Sequence, residues 1–486
     1  MDFVVGTFRT KHRKSTKNLK QLQYSDATPL HEELHKNIAK LKDELGDSSD
    51  LVIRILKLNE ENSFIIAVIH IGGISDEQKI NQNIIEPLLE CKYNIVSPSA
   101  EFLKEELERK VTVSKLETVT NFGDVLSVVL SGNTVIFING CVQALSASTS
   151  EFQSRGITEP TTQTVIRGPK DSFTENLRTN TSLVRLRIQS PCLRLEALKI
   201  GTVTQTDVEM MYIEGIADES IVREVRSRLN KIEVDSILES GYVESFIQDK
   251  QRTLFPTILN TERPDIVAAN VLEGRIALFV RGTPYVLITP VTFVQFFQSP
   301  EDYYQNEYIG TALRLLRFGA FFLSMFTPAL YIATITHHEA LIPTVLLVSI
   351  AAQREGVPFP AIVEAVLMEI MFEVLREAGV RMPRAVGQAV SIVGALILGQ
   401  AAVQAGLVSA AMVIVVSVTA IAGFVIPNYN MAITARILRF VLLLMASFIG
   451  LYGLLLSTLF IALHMCSLRS FGVPYVAPIA PFRVDE

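Results

Sequence analysis

The sequence predicts an α/β soluble N-terminal region with two duplicated subdomains, followed by an α-helical multi-pass transmembrane domain. Three observations carry this. Charge is segregated along the 486 residues, uncharged apolar runs fill the back of the chain, and an internal repeat occupies the front.

The chain has 44 basic and 50 acidic side chains, and 49% of its residues are hydrophobic. From Thr311 to Glu486 there is no lysine, only ten arginines, seven glutamates and one aspartate, a net of +2. The first 310 residues carry a net of −8. Length alone suggests about three domains at roughly 150 residues each, but so sharp a partition excludes a purely soluble protein. The N-terminal residues Arg9, Lys11, Arg13, Lys14, Lys17 and Lys20 are not followed by an apolar h-region, so no cleavable signal peptide is expected. Cys91, Cys141, Cys192 and Cys466 show no CxxC or Cys/His spacing. Buried free thiols in a reducing compartment are the expectation, with no disulfide framework, metal or cofactor.

The repeat sits in the soluble part. Ile71-Gly-Gly-Ile-Ser-Asp-Glu77 matches Ile213-Glu-Gly-Ile-Ala-Asp-Glu219 at an offset of 142. Val129-Leu-Ser-Gly132 with Phe137 and Gly140 matches Val271-Leu-Glu-Gly274 with Phe279 and Gly282 at the same offset. In each copy a β-rich run (Phe64–Ile71; Val208–Ile213) leads through a turn Asp, a plausible N-cap, into a helix (Glu77–Leu89; Glu219–Leu229). Two strands around a glycine turn follow, Thr134–Ile138 with Val142–Leu145 and Ile276–Val280 with Tyr285–Ile288, so an α/β arrangement is expected in each copy. The resulting division is a basic, disordered tail over 1–48, a cytoplasmic subdomain over 49–150, a polar helical insert over 151–205, and a second subdomain over 206–298. Arg178, Arg185 and Arg187 in the insert suit either an anion or acidic partner, or a solvated or inter-subunit salt-bridged face. The aromatic stretch Pro290–Gln298 suits an interfacial segment.

The transmembrane domain is assigned to 311–466, with a C-terminal tail over 467–486. A bilayer-spanning helix needs about 20 mostly apolar residues. Candidates are Phe318–Ile335, two helices within the uncharged run Ala385–Ala435, and Ile437–Leu463, with Leu341–Ala352 short enough to be re-entrant. Small residues crowd Ala385–Gly406, which suits tight helix packing, and Gln388, Gln400 and Gln404 suit a polar lining.

Four of the seven glutamates of the lysine-free part fall between Glu364 and Glu377. Pro360 suits the start of a helix there and Gly379 its end. At 100° per residue, Ile362, Val366, Glu369, Glu373, Arg376 and Glu377 form one stripe, with Glu364 opposite. Three readings stay open. The helix lies on the membrane surface with its acids in water; or it lines a cation path, Ile362 and Val366 forming a constriction with Glu369 and Glu373 as cation attractors; or Arg376 makes a structural interhelical ion pair. Arg314 and Arg317, Arg381 and Arg384, and Arg436 and Arg439 share the cytoplasmic side if this helix stays on one side and Leu341–Ala352 crosses. About five crossings would then leave the C-terminal tail outside.

No GxxxxGK[ST], GxSxG, HExxH or Rossmann glycine pattern occurs, and nothing argues for an enzyme. A composite of motifs does carry a resemblance: Arg167-Gly-Pro169, Phe173-Thr-Glu-Asn-Leu-Arg-Thr-Asn180, Ile237-Leu-Glu-Ser-Gly241, Thr261-Glu-Arg-Pro-Asp265, Leu272-Glu-Gly274, Ser299-Pro-Glu-Asp-Tyr-Tyr304, Arg354-Glu-Gly-Val-Pro-Phe-Pro360, Glu364-Ala-Val-Leu-Met-Glu369, Arg376-Glu-Ala-Gly-Val-Arg-Met-Pro383 and Val386-Gly-Gln-Ala-Val-Ser-Ile-Val-Gly394. Together they resemble the A-subunit family of bacterial spore germinant receptors over most of the chain. That resemblance implies a multi-pass subunit of a nutrient-sensing complex in the spore inner membrane that triggers germination. Its implied partners are a transporter-like B subunit, a lipoprotein C subunit, further copies of itself in a ring, monovalent cations and the lipid bilayer, with no nucleic acid. A ligand-gated cation channel is one implied role. A scaffold beside an ion-moving B subunit is another, and the sporulation-operon paralogue that assists dipicolinate and ion release is a third.

Overall fold

A computed structural model describes residues 28–58, 65–89, 109–150, 159–160, 162–249, 252–382 and 397–480. The first copy runs α1 (Leu34–Leu45), β1 (Leu51–Lys57), β2 (Ile65–Ile71), α2 (Glu77–Ile80, continued by a π-helical turn Asn81–Ile85 and by Glu86–Leu89), β3 (Leu116–Val119), α3 (Phe122–Leu130), β4 (Thr134–Ile138) and β5 (Ala144–Ala147). The second runs α4 (Leu177–Arg187), β6 (Leu193–Ile200), β7 (Thr206–Ile213), α5 (Glu219–Asn230), α6 (Ser240–Ile247), β8 (Leu259–Thr261), α7 (Pro264–Leu272), β9 (Ile276–Val280) and β10 (Val286–Thr289). Each copy forms a five-stranded sheet, in the orders β1-β2-β4-β5-β3 and β6-β7-β9-β10-β8. All pairings are antiparallel, although helices and strands alternate along the chain.

The turn aspartates act as the repeat requires. Asp76 accepts from the amides of Gln78 and Lys79, and Asp218 from that of Ser220, each satisfying donors of a first helical turn. The copies also share a device that lies outside the repeated motifs. Asn37 donates to His31 O (2.7 Å) and accepts from its amide (2.8 Å), while Asn180 does the same with Thr174 (2.6 and 2.7 Å). Both asparagines are buried, and each ties the first helix of its copy to the strand-like segment before it. Helix α1 lies in the stretch expected to be a disordered tail, and α4 and β6 lie in the stretch expected to be an insert. All three are integral to the two copies.

Two of the three arginines of α4, Arg185 and Arg187, are consumed inside the chain, while Arg178 is exposed. Arg185 is buried and donates to Asp50 (2.9 and 3.1 Å), Ser48 Oγ (3.1 Å) and Leu193 O (3.0 Å), which joins copy one to copy two. Arg187 pairs with Asp171 at 2.5 Å. Cys141 is buried, Cys192 half-buried and Cys466 exposed, while Cys91 lies outside the described residues.

After β10 the aromatic segment Phe293–Phe297 forms a 3-10 turn whose Phe293, Phe296 and Phe297 are buried in a core shared with the helical part. Phe297 and Phe318 have ring centroids 4.3 Å apart. The stretch is thus the joint between sheet and helices. A one-turn helix, Glu301–Tyr304, precedes α8 (Glu307–His337). There follow α9 (Thr344–Arg354), α10 (Ala361–Arg381), α11 (Ala410–Phe424), α12 (Tyr429–Ile449) and α13 (Leu451–Ser467). Two of these, Glu307–His337 and Tyr429–Ile449, are long and apolar enough to cross a membrane, and Thr344–Arg354, Ala410–Phe424 and Leu451–Ser467 are shorter apolar helices.

Contacts set the helix directions. Helix α8 leaves the soluble part where Arg317 bonds Asp302 (2.7 Å), and ends where His337 Nε2 lies 2.8 Å from Ser447 O. Helix α12 runs the same way, from Thr434, bonded to Leu254 O at 2.5 Å, to Gly450. Gly450, at φ +69°, breaks the apolar run read as one span over Ile437–Leu463. Helix α13 therefore returns, and His464 Nε2 lies 3.0 Å from Thr253 Oγ1. The C-terminal strand pair, Arg469–Ser470 with Val473–Pro474, then docks on the soluble part: Ser470 Oγ donates to Thr257 O (2.7 Å) and accepts from the Val291 amide (3.1 Å). This corrects the expected topology, because tail and N-terminal copies share one end of the bundle. Most of Ala385–Gly406, with Gln388, lies outside the described residues; its end, 397–404, is helical.

Candidate functional site

Helix α10 holds the four residues singled out as pore-lining: Ile362, Val366, Glu369 and Glu373. It continues two residues past Gly379, to Arg381. Its N-terminal turns pack Ala361 and Ala365 with Ile332 and Leu443, near the far ends of α8 and α12. Lower down it meets Arg439 and then Arg436, so it descends antiparallel to α12 through the depth of the bundle. Of its acids, Glu364 and Glu369 are buried, Glu373 is half-buried and Glu377 is exposed. Helix α9, by contrast, has no buried residue and stays at the far end, near Arg354. With α9 at the far end and α10 descending, Arg314, Arg317, Arg381 and Arg436 lie toward the end that carries the two α/β copies, and Arg439 lies at mid-depth.

The surface of α10 divides lengthwise. Ala361, Glu364, Ala365, Met368 and Glu369 are buried against the bundle, and Val363, Ile370 and Val374 are exposed. Ile362, Val366 and Glu373 lie half-buried on the seam. Ile362, Val363, Val366, Leu367, Ile370 and Met371 line an open apolar groove of about 520 Å³.

The carboxylates are matched at three levels. At the far end Glu364 accepts from the Ser409 amide (3.0 Å) and Oγ (2.9 Å), which caps α11, and from Arg354 Nε (3.3 Å). At mid-depth the buried Glu369 pairs with the buried Arg439 at 2.5 Å. One turn further Glu373 pairs with Arg436 at 3.1 Å and with Arg376 of its own helix at 3.6 Å. Removing one member of such a buried pair typically costs about 3–5 kcal/mol, because the other charge is left stranded. Sequence reasoning missed Arg436 and Arg439 as partners and offered an interhelical pair only through Arg376, as one of three open readings; Arg376 instead pairs with Glu373 of its own helix. The signal was present: two arginines three apart, on one helix face, inside an otherwise uncharged stretch, need carboxylates at the same depth.

A profile described as GerA, Bacillus/Clostridium GerA spore germination protein, matches residues 39–486. The chain is 51% identical over 449 residues to spore germination protein KA of Bacillus subtilis, covering 92% of this chain and 82% of that one. It is 38% identical to spore germination protein A1 of the same organism, over 95% of this chain and 94% of the relative. An uncharacterized membrane protein of Bacillus subtilis, YfkQ, is 42% identical over 98% of this chain and 92% of its own. Among solved structures, the N-terminal domain of the A subunit of the Bacillus megaterium spore germinant receptor GerK3 is 41% identical, covering 56% of this chain and 99% of that one, with a TM-score of 0.44. The chain belongs to the GerA family of spore germination proteins.

Proposed function

We propose that the chain is the A-type subunit of a nutrient germinant receptor, set in the spore inner membrane with both soluble copies and the C-terminal tail on the cytoplasmic side. Helices α8, α10, α11, α12 and α13 each cross in this reading, and the fastening of Ser470 to Thr257 and Val291 returns the tail to the side of the soluble copies. A transporter-like B subunit and a lipoprotein C subunit complete the receptor. Copies of this chain assemble as a ring that passes monovalent cations, with α10 in its wall and Ile362 and Val366 at the constriction.

One observation supports this reading above others. Helix α10 descends through the bundle with its carboxylates matched on the inner side, while an apolar flank of about 520 Å³ stays open along Ile362 and Val366. That is the form a ring subunit has before its neighbours cover it. In this reading Glu369 and Glu373 set the field beside the path through the arginines they hold. The test is potassium release from spores carrying Ile362→Ala or Val366→Ala: a narrower side chain at a dewetting constriction raises release before nutrient is added. Unchanged release in both variants removes these residues from the pore. A second reading, a scaffold beside an ion-moving partner, is favoured by the matching of Glu369 with Arg439. Purified chain in liposomes separates the two, because a scaffold gives no conductance.

A further inference from the structure

The motifs around Arg167, Glu262, Asp265 and Glu301 converge on one loop, 162–170. Glu262, itself 3% exposed, accepts from the Thr162 amide (2.5 Å) and Oγ1 (2.9 Å) and from the Gln163 amide (3.1 Å). The fully buried Arg263 donates to Gln163 O (3.2 Å) and Pro169 O (2.9 Å), and Asp265 holds its other edge. Asp265 also accepts from Tyr304 OH (2.8 Å), and the Tyr304 ring closes under Gly168 so tightly that a Cβ there would lie 2.6 Å from it. Glu301 accepts from the amides of Ile166 and Arg167. A buried charged network, costly to assemble, thus pins both sides of a loop whose residues 166–170 are all exposed, with Ile166 at 93%.

The depth of that tip follows from the neighbour of Glu301. Asp302 binds Arg314 (3.0 Å) and Arg317 (2.7 Å), the last charges before the apolar run that starts at Phe318. Leu315 and Leu316, at the same level, are exposed. We propose that loop 162–170 is a membrane-surface anchor, in which Ile166 enters the headgroup layer while Arg167 and Lys170 meet the phosphates of anionic lipids. Among the described residues Lys170 is otherwise held by an exposed pair with Glu159 at 3.3 Å, which a phosphate replaces easily. An apolar side chain flanked by cations at this depth matches an anionic interface in both chemistry and position. The proposal rests on the membrane reading above.

The chain has no tryptophan, which supplies the test. Single-tryptophan variants Ile166→Trp, Phe460→Trp on the exposed side of α13, and Val142→Trp in copy one are reconstituted in phosphatidylcholine vesicles with and without phosphatidylglycerol, carrying nitroxide lipids labelled at shallow or deep positions. Ile166→Trp is expected to be quenched by the shallow label at least twofold more than Val142→Trp, more so with phosphatidylglycerol. Adding Arg167→Glu and Lys170→Glu removes that dependence on anionic lipid. Phe460→Trp is quenched by the deep label. If Phe460→Trp is quenched and Ile166→Trp is not, the anchor is overturned and the membrane reading stands. If Phe460→Trp is unquenched, the membrane reading fails and the anchor with it. A blue-shifted Ile166→Trp that responds to protein density and not to lipid label assigns the loop to a second copy, and overturns the anchor equally.

Discussion

Asp50→Asn changes one charge at the joint between the copies and keeps the side-chain shape. In the native joint Arg185 reaches Asp50 through two bonds of 2.9 and 3.1 Å, with the two side chains only 2% and 6% exposed. At an effective dielectric near 20, charges about 4 Å apart attract by about 4 kcal/mol. Stranding one partner of a buried pair costs about 3–5 kcal/mol. Arg185 keeps Leu193 O at 3.0 Å, so the lower end, about 3 kcal/mol, is expected. Hydrogen exchange reads this locally without requiring two-state unfolding of the whole chain. The Ser49 amide, bonded across the joint to Leu195 O at 3.0 Å, and the Gly72 amide, bonded to Asp50 O at 2.8 Å, are the reporters. Their exchange should accelerate by roughly a hundredfold, at about 1.4 kcal/mol per factor of ten. Lys199→Ala, which removes an exposed pair with Asp207 at 3.9 Å, should leave the same amides unchanged. Acceleration below about threefold in Asp50→Asn, against the roughly hundredfold expected from the buried pair, would refute the assignment of Arg185 and Asp50 as the fastening.

Gly73→Ala should loosen the same joint, because Gly73 has φ +94° and a Cβ there collides with Ser182 of α4, whereas Gly140→Ala, at φ +85° with open space, should cost only about 1 kcal/mol of backbone strain. Equal exchange effects in the two variants would remove the steric argument. Burial lifts the Glu209 carboxyl from 4.5 to about 7 against the nearby Arg178. Because the folded-state value is raised, its stabilising share is complete below about pH 4.5 and is lost as pH rises through 7, an effect of roughly 3 kcal/mol at 1.36 kcal/mol per unit. Glu209→Gln should abolish that loss between pH 5 and pH 8, read from the thermal midpoint of copy two; a wild-type midpoint that does not fall over this range contradicts it. In the bundle, Arg439→Met should cost about 3–5 kcal/mol by stranding Glu369, while Glu369→Leu with Arg439→Met should return most of it. The fraction still monodisperse in detergent after heating measures both, and an equal loss in single and double variants would dissolve the pair.

The repeat was legible where the backbone makes demands that few residues meet. Gly73 and Gly215, both at positive φ, and the capping aspartates Asp76 and Asp218 recur at fixed spacing because turn geometry and helix starts restrict the choice. Helices α1 and α4 were not legible as counterparts. Their buried positions correspond (Leu34, Asn37, Leu41 and Leu45 with Leu177, Asn180, Val184 and Ile188), but at an offset of 143 instead of 142 and with only the leucine and the asparagine of the first two pairs kept in identity. Length and hydropathy marked the apolar runs, but they carry no information on where a chain reverses, so the break at Gly450 and the antiparallel course of α10 beside α12 were not read. Carboxylates and arginines at matching depth belong to different helices, and Glu369 with Arg439 became a pair only once the helix directions were known.

The docking of Ser470 between Thr257 and Val291 has a mechanical consequence. A body fastened at one point can swivel, and one fastened at two can still swing about the line between them. The helical part is fastened to copy two at Tyr304 with Asp265, next to the Asp302–Arg317 pair, at Leu254 with Thr434, and at the Ser470 clasp. Three separated fastenings leave no free rotation. A tilt of copy two is therefore delivered to α8, α12 and α13 together, and removing the residues after Ser467 should loosen that coupling, leaving His464 with Thr253 as the hold on α13.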